Sequence, residues 1–479
     1  MKQPDFLKRR TKIVCTIGPA TGSSAVIERL IRSGMNVARL NLTHGTQAVH
    51  ERYVRTVRRL GRRLGVPVAV LIDLPGPKYR TGRLKEEKVT LKKGARVTLT
   101  TRDVEGSAAL VPVNLPGLSG YVKTGSIVLL DDGAMQLRVL EKTDTDITCR
   151  VVAGGVLTEK RGIVVPGMPA IGPFVTDALR ERMLFAIRQK PDYLALSFVS
   201  SAADIAGVKA ILEEAGAAVP VIAKIERVQA VKDFDDILSI ADGIMVARGD
   251  LGVDIPLERV PLIQKEIILK CNLAGKPVIT ATQMLESMVG AARPTRAEVT
   301  DVANAIFDGT DATMLSAETS VGKYPVQAVR TMARIARETE KKLPYKQYIT
   351  QRSRWIERET DELISYSACH AADSLGAKAI VAFTHSGSTG RRVSKYRPKV
   401  PILAITSAVE VSGRLVLHWG VYPFSMKEAA SLDELFATGA GLTRELGLAK
   451  PGDQVVITGG VPVGQSGSTN LLKVEEIRE

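Results

Sequence analysis

The stretch PVIAKIERVQAVKDFDDILSIADGIMVARGD, Pro220 to Asp250, decides how this chain folds. Two short runs rich in aliphatic and β-branched residues, Pro220 to Glu226 and Gly243 to Gly249, enclose a segment patterned as a helix. Near-continuous apolar runs of this length are what parallel strands look like when both sheet faces are buried, and the helix between them is the crossover. The same alternation continues in both directions. Lys12 to Gly18, Asn36 to Leu42, Val68 to Leu74 and Tyr193 to Val199 lie upstream, and Pro277 to Gln283 and Ala312 to Ser316 lie downstream, which makes eight strands. Eight such strands with alternating helices predict an α/β fold of the TIM (β/α)8 barrel type, with its active site where the C-terminal strand ends meet.

That count leaves two parts of the 479-residue chain outside the barrel, and a chain of this length exceeds one compact core. Between Gly82 and Val165 the texture changes to alternating stretches such as Arg96-Val97-Thr98-Leu99 and Ile127-Val128-Leu129-Leu130, separated by turns bearing Gly and Asp. This predicts a small inserted β-barrel, residues 82–165, between barrel parts at 1–81 and 166–343. Following the third strand, it would lie over the barrel mouth and close as a lid that excludes water. Beyond Leu343 a C-terminal α/β unit, residues 344–479, is expected from the helical run Asp361 to Ser374 and from strands at Ala379 to Thr384, Pro401 to Thr406 and Gln454 to Thr458.

Composition narrows the function class. Hydrophobic residues make up 45% and charged residues 24%, the balance of a soluble globular chain. No apolar run approaches the ~18 residues of a membrane span, and Met1 to Arg10 has no signal-like apolar stretch, so a cytoplasmic protein without a membrane partner is expected. The four cysteines, Cys15, Cys149, Cys271 and Cys369, and the five histidines show no zinc or redox spacing, which leaves buried thiols as the reading. A net charge of +15 attracts nucleic acid, anionic membranes and anionic substrates alike. The basic residues are scattered, with Arg55, Arg58, Arg59, Arg62 and Arg63 on one helix, and few aromatics are interleaved to stack on bases. A solvated helix face, not a nucleic-acid patch, is expected there.

The strand ends carry the chemistry. Arg39 and Asn41, Asp73, Ser197, Lys224 with Glu226, Arg248 with Asp250, and Thr282 all fall where polar side chains can converge on a ligand instead of being buried in the barrel. Glu226 and Asp250 are hard oxygen donors at neighbouring strand ends, a pair suited to one Mg²⁺ whose other positions go to water and substrate. Lys224, two residues before Glu226, points to the same side and suits the charge of a phosphoryl group in transit. Gly249, Asp250 and Gly252 open a helical segment whose N–H groups suit a carboxylate or phosphate. Thr295 and Glu298, by contrast, form a capping box and belong to structure alone.

Several segments closely resemble the pyruvate kinase family: TKIVCTIGPA at Thr11 to Ala20, GMNVARLNLTHG at Gly34 to Gly45, IAKIER at Ile222 to Arg227, DGIMVARGDLGVDIP at Asp242 to Pro256, ATQMLESM at Ala281 to Met288, and RPTRAEVTDVANAIFDGTDATMLSAETSVGKYP at Arg293 to Pro325. The resemblance implies transfer of the phosphoryl group of phosphoenolpyruvate to ADP, giving pyruvate and ATP, with Mg²⁺, or Mn²⁺ in its stead, on Glu226 and Asp250. It implies Lys224 on the transferring group, and Arg39 and Arg80 on phosphate oxygens. The amides of Gly249 and Asp250, with Thr282, would hold the substrate carboxylate, and Thr282 would relay a proton from water to the enolate carbon. Asn41 and His44, with Arg80, would lie near the nucleotide phosphates, with a second Mg²⁺ arriving on ADP. FTHSGSTGRRVSKYRP, Phe383 to Pro398, is similar to the family's effector loop, so Thr384, Ser386, Gly387, Ser388 and Thr389 would cradle the phosphate of an activating phosphosugar or nucleotide. A homotetramer is the assembly the resemblance implies.

Departures from the family pattern carry their own expectations. The third strand reads DLPGPKYR from Asp73 to Arg80, with Leu74 and Lys78 where many members have threonine and glutamate and hold a potassium ion. Lys78 would supply that monovalent charge on a tether, so potassium independence is expected; in the alternative Lys78 merely pairs with a nearby carboxylate, and Asn41, Thr43 and Asp73 still bind potassium. Thr43 stands for a serine, Ala317 for a glycine, and Ala178 for a lysine often found there, so no nucleotide contact is carried over to that position. Two competing readings are a magnesium-dependent aldolase or lyase, which leaves the insert and Lys224 unexplained, and a non-catalytic nucleic-acid-binding barrel, against which Arg39, Lys224, Glu226, Asp250 and Thr282 stand together.

Overall fold

The structure is a computed structural model, and it describes residues 3–115, 117–169, 171–353, 359–427, 431–462 and 469–478. Strands β1 (Lys12–Thr16), β2 (Val37–Asn41), β3 (Ala69–Leu74), β4 (Tyr193–Leu196), β5 (Val221–Ile225), β6 (Gly243–Ala247), β7 (Val278–Ala281) and β8 (Ala312–Leu315) form one closed barrel. All neighbours are parallel, and the ring closes where Lys12 of β1 faces Ala312 of β8. Alternate residues of each strand point to opposite sides. Val14, Val37, Leu71, Ile222, Met245 and Ile279 fill the interior, while Ile13, Cys15, Ala38, Val70 and Val221 pack outward under the helices.

The helix Gln47–Leu64 shows how local sequence fixes these crossovers. Thr46 caps its start by accepting the Val49 N–H, and Gly65, at φ 61°, ends it in the left-handed region that glycine adopts freely. Its Tyr53, Val54, Val57 and Leu60 are buried, whereas Arg55, Arg59, Arg62 and Arg63 face solvent. Arg63 pairs with Glu28 and Arg59 donates to Ser24, as on a solvated face. The Thr295–Glu298 capping box also forms, opening the helix Arg296–Asp308.

The insert after β3 is a six-stranded sheet, largely antiparallel, beside a two-stranded ladder of Lys88–Leu91 with Gly155–Thr158. Both sheets share one core that includes Val89, Leu91, Leu99, Leu130, Leu137 and Leu157. The small barrel expected there is thus closed by packing and not by a continuous hydrogen-bonded ring. The C-terminal unit has five strands, in the order Val421–Ser425, Ile402–Thr406, Ile380–Phe383, Gln454–Gly459, Leu471–Glu476, with only the last antiparallel. It seals the base of the barrel, opposite the mouth. Arg397 grips Asp311 with two nitrogens at 2.7 and 2.9 Å, and the Lys12 ammonium lies 3.9 Å above the Tyr422 ring. The four cysteines are free and buried, and burial pushes their thiols up. Among the described residues no helix is long and apolar enough to cross a membrane.

Candidate active site

At the C-terminal ends of β2 to β5 four charged side chains meet. Arg39 Nε donates to Asp73 Oδ2 at 2.7 Å, and its Nη1 donates to Thr16 Oγ1 at 2.9 Å. Lys224 Nζ donates to Ser197 Oγ at 2.7 Å and lies 3.0 Å from Glu226 Oε1 and 3.4 Å from Asp73 Oδ1. Glu226 Oε2 accepts the Phe198 N–H at 2.6 Å. Every member is buried: Arg39 and Lys224 are each 7% exposed, Asp73 1% and Glu226 2%.

Burial of charge sets the electrostatics. Burial pushes the Asp73 carboxyl up, but Lys224 and Arg39 outweigh it and hold it below the usual carboxylate range. Burial pushes Lys224 down, yet Asp73 and Glu226 win and raise it, so it stays an ammonium. Glu226 goes the other way. Burial, with Asp250 adding to it and Lys224 opposing, pushes its carboxyl up to about 7. A carboxylate in that state gains from a nearby cation. Glu226 and Asp250, with Lys78, Asp132 and Phe198, line a cavity of about 30 Å³, room for one ion or water. Among the described residues no cluster of three or more His, Cys, Asp or Glu side chains is grouped for a metal. Two carboxylates fit Mg²⁺, which keeps water and substrate oxygens, better than a full protein cage.

On the other side of the mouth, Thr282 sits at φ 66° and Gln283 at φ 54°, a conformation that is costly for a β-branched residue. Arg248 holds the turn: its Nη2 donates to the Thr282 carbonyl at 2.8 Å and its Nη1 donates to Asp301 at 2.7 Å. The Thr282 hydroxyl accepts the Gly249 N–H at 2.7 Å and donates to the Ala281 carbonyl at 2.6 Å. The Gly249 amide expected for a substrate carboxylate therefore already has a partner. Gly76 shows why the turn after β3 needs glycine, since a Cβ there would lie 1.9 Å from the Ser197 carbonyl oxygen.

Other expected residues stand further out. Arg80 donates from Nη1 to the Lys160 carbonyl at 2.9 Å and from its backbone to Asn114, so it faces the insert and not the Lys224 group. Asn41 Oδ1 accepts the Thr43 N–H, His44 is exposed, and Leu74 is buried with no side-chain oxygen, its carbonyl accepting the Ser197 N–H at 3.2 Å. Lys78 Nζ lies 2.8 Å from Asp132 of the insert and 3.6 Å from Asp250. Ala178 is exposed in the first turn of the helix Asp177–Arg188. In the C-terminal unit, Thr384 Oγ1 accepts the Gly387 N–H at 2.9 Å, Ser386 bonds Ser388 at 3.2 Å, and Thr389 bonds Thr469 at 2.9 Å. Sequence reasoning missed Phe198, Asp132, Asp254 and Thr469, and saw Arg248 only as a strand-end residue. The DDG turn at Asp131 to Gly133 was the available signal for Asp132.

Family models place the same assignment on both halves of the chain. Residues 8–329 match "Pyruvate kinase, barrel domain" and residues 362–475 match "Pyruvate kinase, alpha/beta domain". The pyruvate kinase of Geobacillus stearothermophilus is 47% identical over 476 residues, covering 99% of this chain and 81% of that relative. That of Sporosarcina psychrophila is 45% identical over 472 residues, covering 98% and 80%. A crystal structure of a pyruvate kinase from Cryptosporidium parvum superposes with a TM-score of 0.94 at 36% identity, covering 99% of this chain and 97% of that one.

Proposed function

The chain belongs to the pyruvate kinase family, and from that premise we infer how its barrel mouth carries the phosphoryl group of phosphoenolpyruvate to ADP, leaving pyruvate and ATP. The observation that carries this reading is the buried group of Arg39, Asp73, Lys224 and Glu226, two cations braced by two carboxylates at the open strand ends. Asp73 fixes both cations from behind, so their remaining N–H groups meet an anionic substrate already oriented. Lys224 stabilises the phosphoryl group in transit, a reaction in which catalysis is mostly positioning and electrostatics. Glu226 and Asp250 would hold Mg²⁺, or Mn²⁺ in its stead, which would supply positive charge beside the phosphoryl group.

Arg39 neutralises phosphate oxygens, and Arg80 joins it by leaving the Lys160 carbonyl. The substrate carboxylate takes the Gly249 N–H from Thr282 and adds the Asp250 amide. That exchange frees the Thr282 hydroxyl to pass a proton from water to the enolate carbon, since a threonine hydroxyl is too weak an acid to be the ultimate donor. Asn41 and His44 serve the nucleotide phosphates, with a second Mg²⁺ arriving on ADP.

Lys78 replaces potassium. Its ammonium 3.6 Å from Asp250 supports this, as does the competition a potassium ion would meet: Asp73 is engaged by Arg39, Ser197 and Lys224, and Leu74 offers only its carbonyl, which already accepts the Ser197 N–H at 3.2 Å. The hydroxyls and amides of Thr384 to Thr389 take the phosphate of a phosphosugar or nucleotide activator. A homotetramer is supported by exposed Leu262 and Leu269 on one barrel helix and Val299 and Phe307 on the next, apolar area that suits a partner copy. The divisions at 82–165 and 344–479 mark the lid and the regulatory unit, and the cytoplasm is the compartment. The test is the initial rate of pyruvate formation from phosphoenolpyruvate, ADP and Mg²⁺ in potassium-free buffer, followed by addition of potassium. Full activity before the addition supports the reading. Activity that appears only afterwards keeps the kinase and sinks the role of Lys78.

A further inference from the structure

The hairpin tip between Ile127–Leu130 and Met135–Lys142 reads Asp131-Asp132-Gly133-Ala134, and its first three residues have positive φ, at 52°, 52° and 90°. Asp-Gly, like Asn-Gly, suits such a turn, and here both leading positions carry carboxylates. Each has a cation. Asp131 lies 3.4 Å from Arg161 within the insert, whereas Asp132 reaches 2.8 Å from Lys78, which precedes the insert at the barrel mouth. Lys78 at the same time stands 3.6 Å from Asp250 and 5.6 Å from the centre of the Phe198 ring. Space for this contact comes from Gly162. A Cβ there would lie 2.9 Å from Lys78 Cε and 3.1 Å from Asp132 Oδ1. A neighbouring approach also joins insert to barrel, since a Cβ on Gly133 would lie 3.7 Å from Val253 Cγ2.

A lysine ammonium on a four-carbon stem has many places to go, and one side chain has to be chosen for it to sit beside Asp250. We propose that Asp132 is a positioning residue, which holds the Lys78 ammonium beside Asp250 from the tip of the insert. The tethered charge then reaches the mouth only while the insert is docked on the barrel. Supply of the monovalent charge and closure of the site become one event, where a free ion would make them two. This rests on the reading of Lys78 as the built-in cation. The Asp132 side chain belongs to the insert and is 65% exposed.

A double-mutant cycle in potassium-free buffer tests it, with kcat for pyruvate formation measured on the full chain, its Asp132→Asn and Lys78→Met variants and the double variant. Asparagine is at home in this turn, so the hairpin is kept while the charge is removed. Asp132→Asn is expected to lower kcat roughly tenfold through misplacement of Lys78 and to leave the melting temperature unchanged. In the Lys78→Met background the same change is expected to do nothing further. A wild-type rate for Asp132→Asn beside an impaired Lys78→Met overturns the inference and leaves Lys78 its role. A loss that persists in full without Lys78 overturns it too, because the hairpin then acts by another route. A wild-type rate for Lys78→Met removes the reading on which the inference stands.

Discussion

Replacing Lys224 with methionine separates the charge of this side chain from its volume. Methionine fills the buried channel that the lysine stem occupies, but the ammonium 2.7 Å from Ser197, 3.0 Å from Glu226 and 3.4 Å from Asp73 is gone. Loss of one preorganised group aimed at charge developing in a low-dielectric site removes about 2.7–4 kcal/mol of transition-state stabilisation, a fall of about 10²–10³-fold in kcat. The neighbours add to the damage. Burial already pushes Glu226 up to about 7 while Lys224 pulls it down, so without the lysine this carboxylate is protonated at higher pH still. Initial rates at saturating phosphoenolpyruvate, ADP and Mg²⁺ read the effect. We expect kcat to fall by about 10²–10³-fold while KM for phosphoenolpyruvate moves far less, because in the proposed role the lysine acts chiefly on the group in transit. A kcat within about tenfold of the parent, or a loss confined to KM, would refute the assignment.

Arg397→Met breaks a buried pair at the base of the barrel and is expected to cost about 3–5 kcal/mol in denaturant unfolding. Burial pushes Asp311 up, but Arg397 outweighs it and holds the carboxyl below its ordinary range. The pair's stability is therefore present above the ordinary aspartate pKa and lost as pH falls through the lower folded value. The variant should begin acid unfolding at higher pH, and an unchanged acid midpoint by circular dichroism would contradict this. Gly76→Ala places a Cβ 1.9 Å from the Ser197 carbonyl oxygen and should cost about 1–3 kcal/mol of stability, with a fall in kcat because Ser197 braces Lys224; normal melting and turnover together would oppose it. Thr282→Val keeps the shape at the strained turn but removes the hydroxyl, so kcat should drop about 10²-fold, and an unaltered pH–rate profile at full activity would exclude a proton relay there.

The barrel was legible because its strands are buried on both faces, so each reads as an unbroken apolar run ending in a polar residue. All eight appear, each shorter by one to three residues, mostly where the chain turns into the mouth. Two strands of the C-terminal sheet were not. Val421–Ser425 is interrupted by Pro423, and Leu471–Glu476, at the sheet edge with Val474 and Glu476 exposed, carries too much charge to read as a buried run. At the site, alternation alone put Lys224 and Glu226 on one face, and the chain bears this out. The partner of the Gly249 N–H and the direction of Arg80 depend on side-chain packing across distant segments, to which no local spacing speaks. Asp132 lies 54 residues from Lys78, so only the fold brings the two together.

Phosphorus NMR of phosphoenolpyruvate and ADP incubated with Mg²⁺ tests the central claim most directly, since it follows the group itself. With the parent chain, the phosphoenolpyruvate signal should decay as the ATP γ-phosphate signal grows in equal measure, and Glu226→Gln should suppress both. Release of inorganic phosphate without ATP, or undiminished ATP formation by Glu226→Gln, would contradict the account of the barrel mouth.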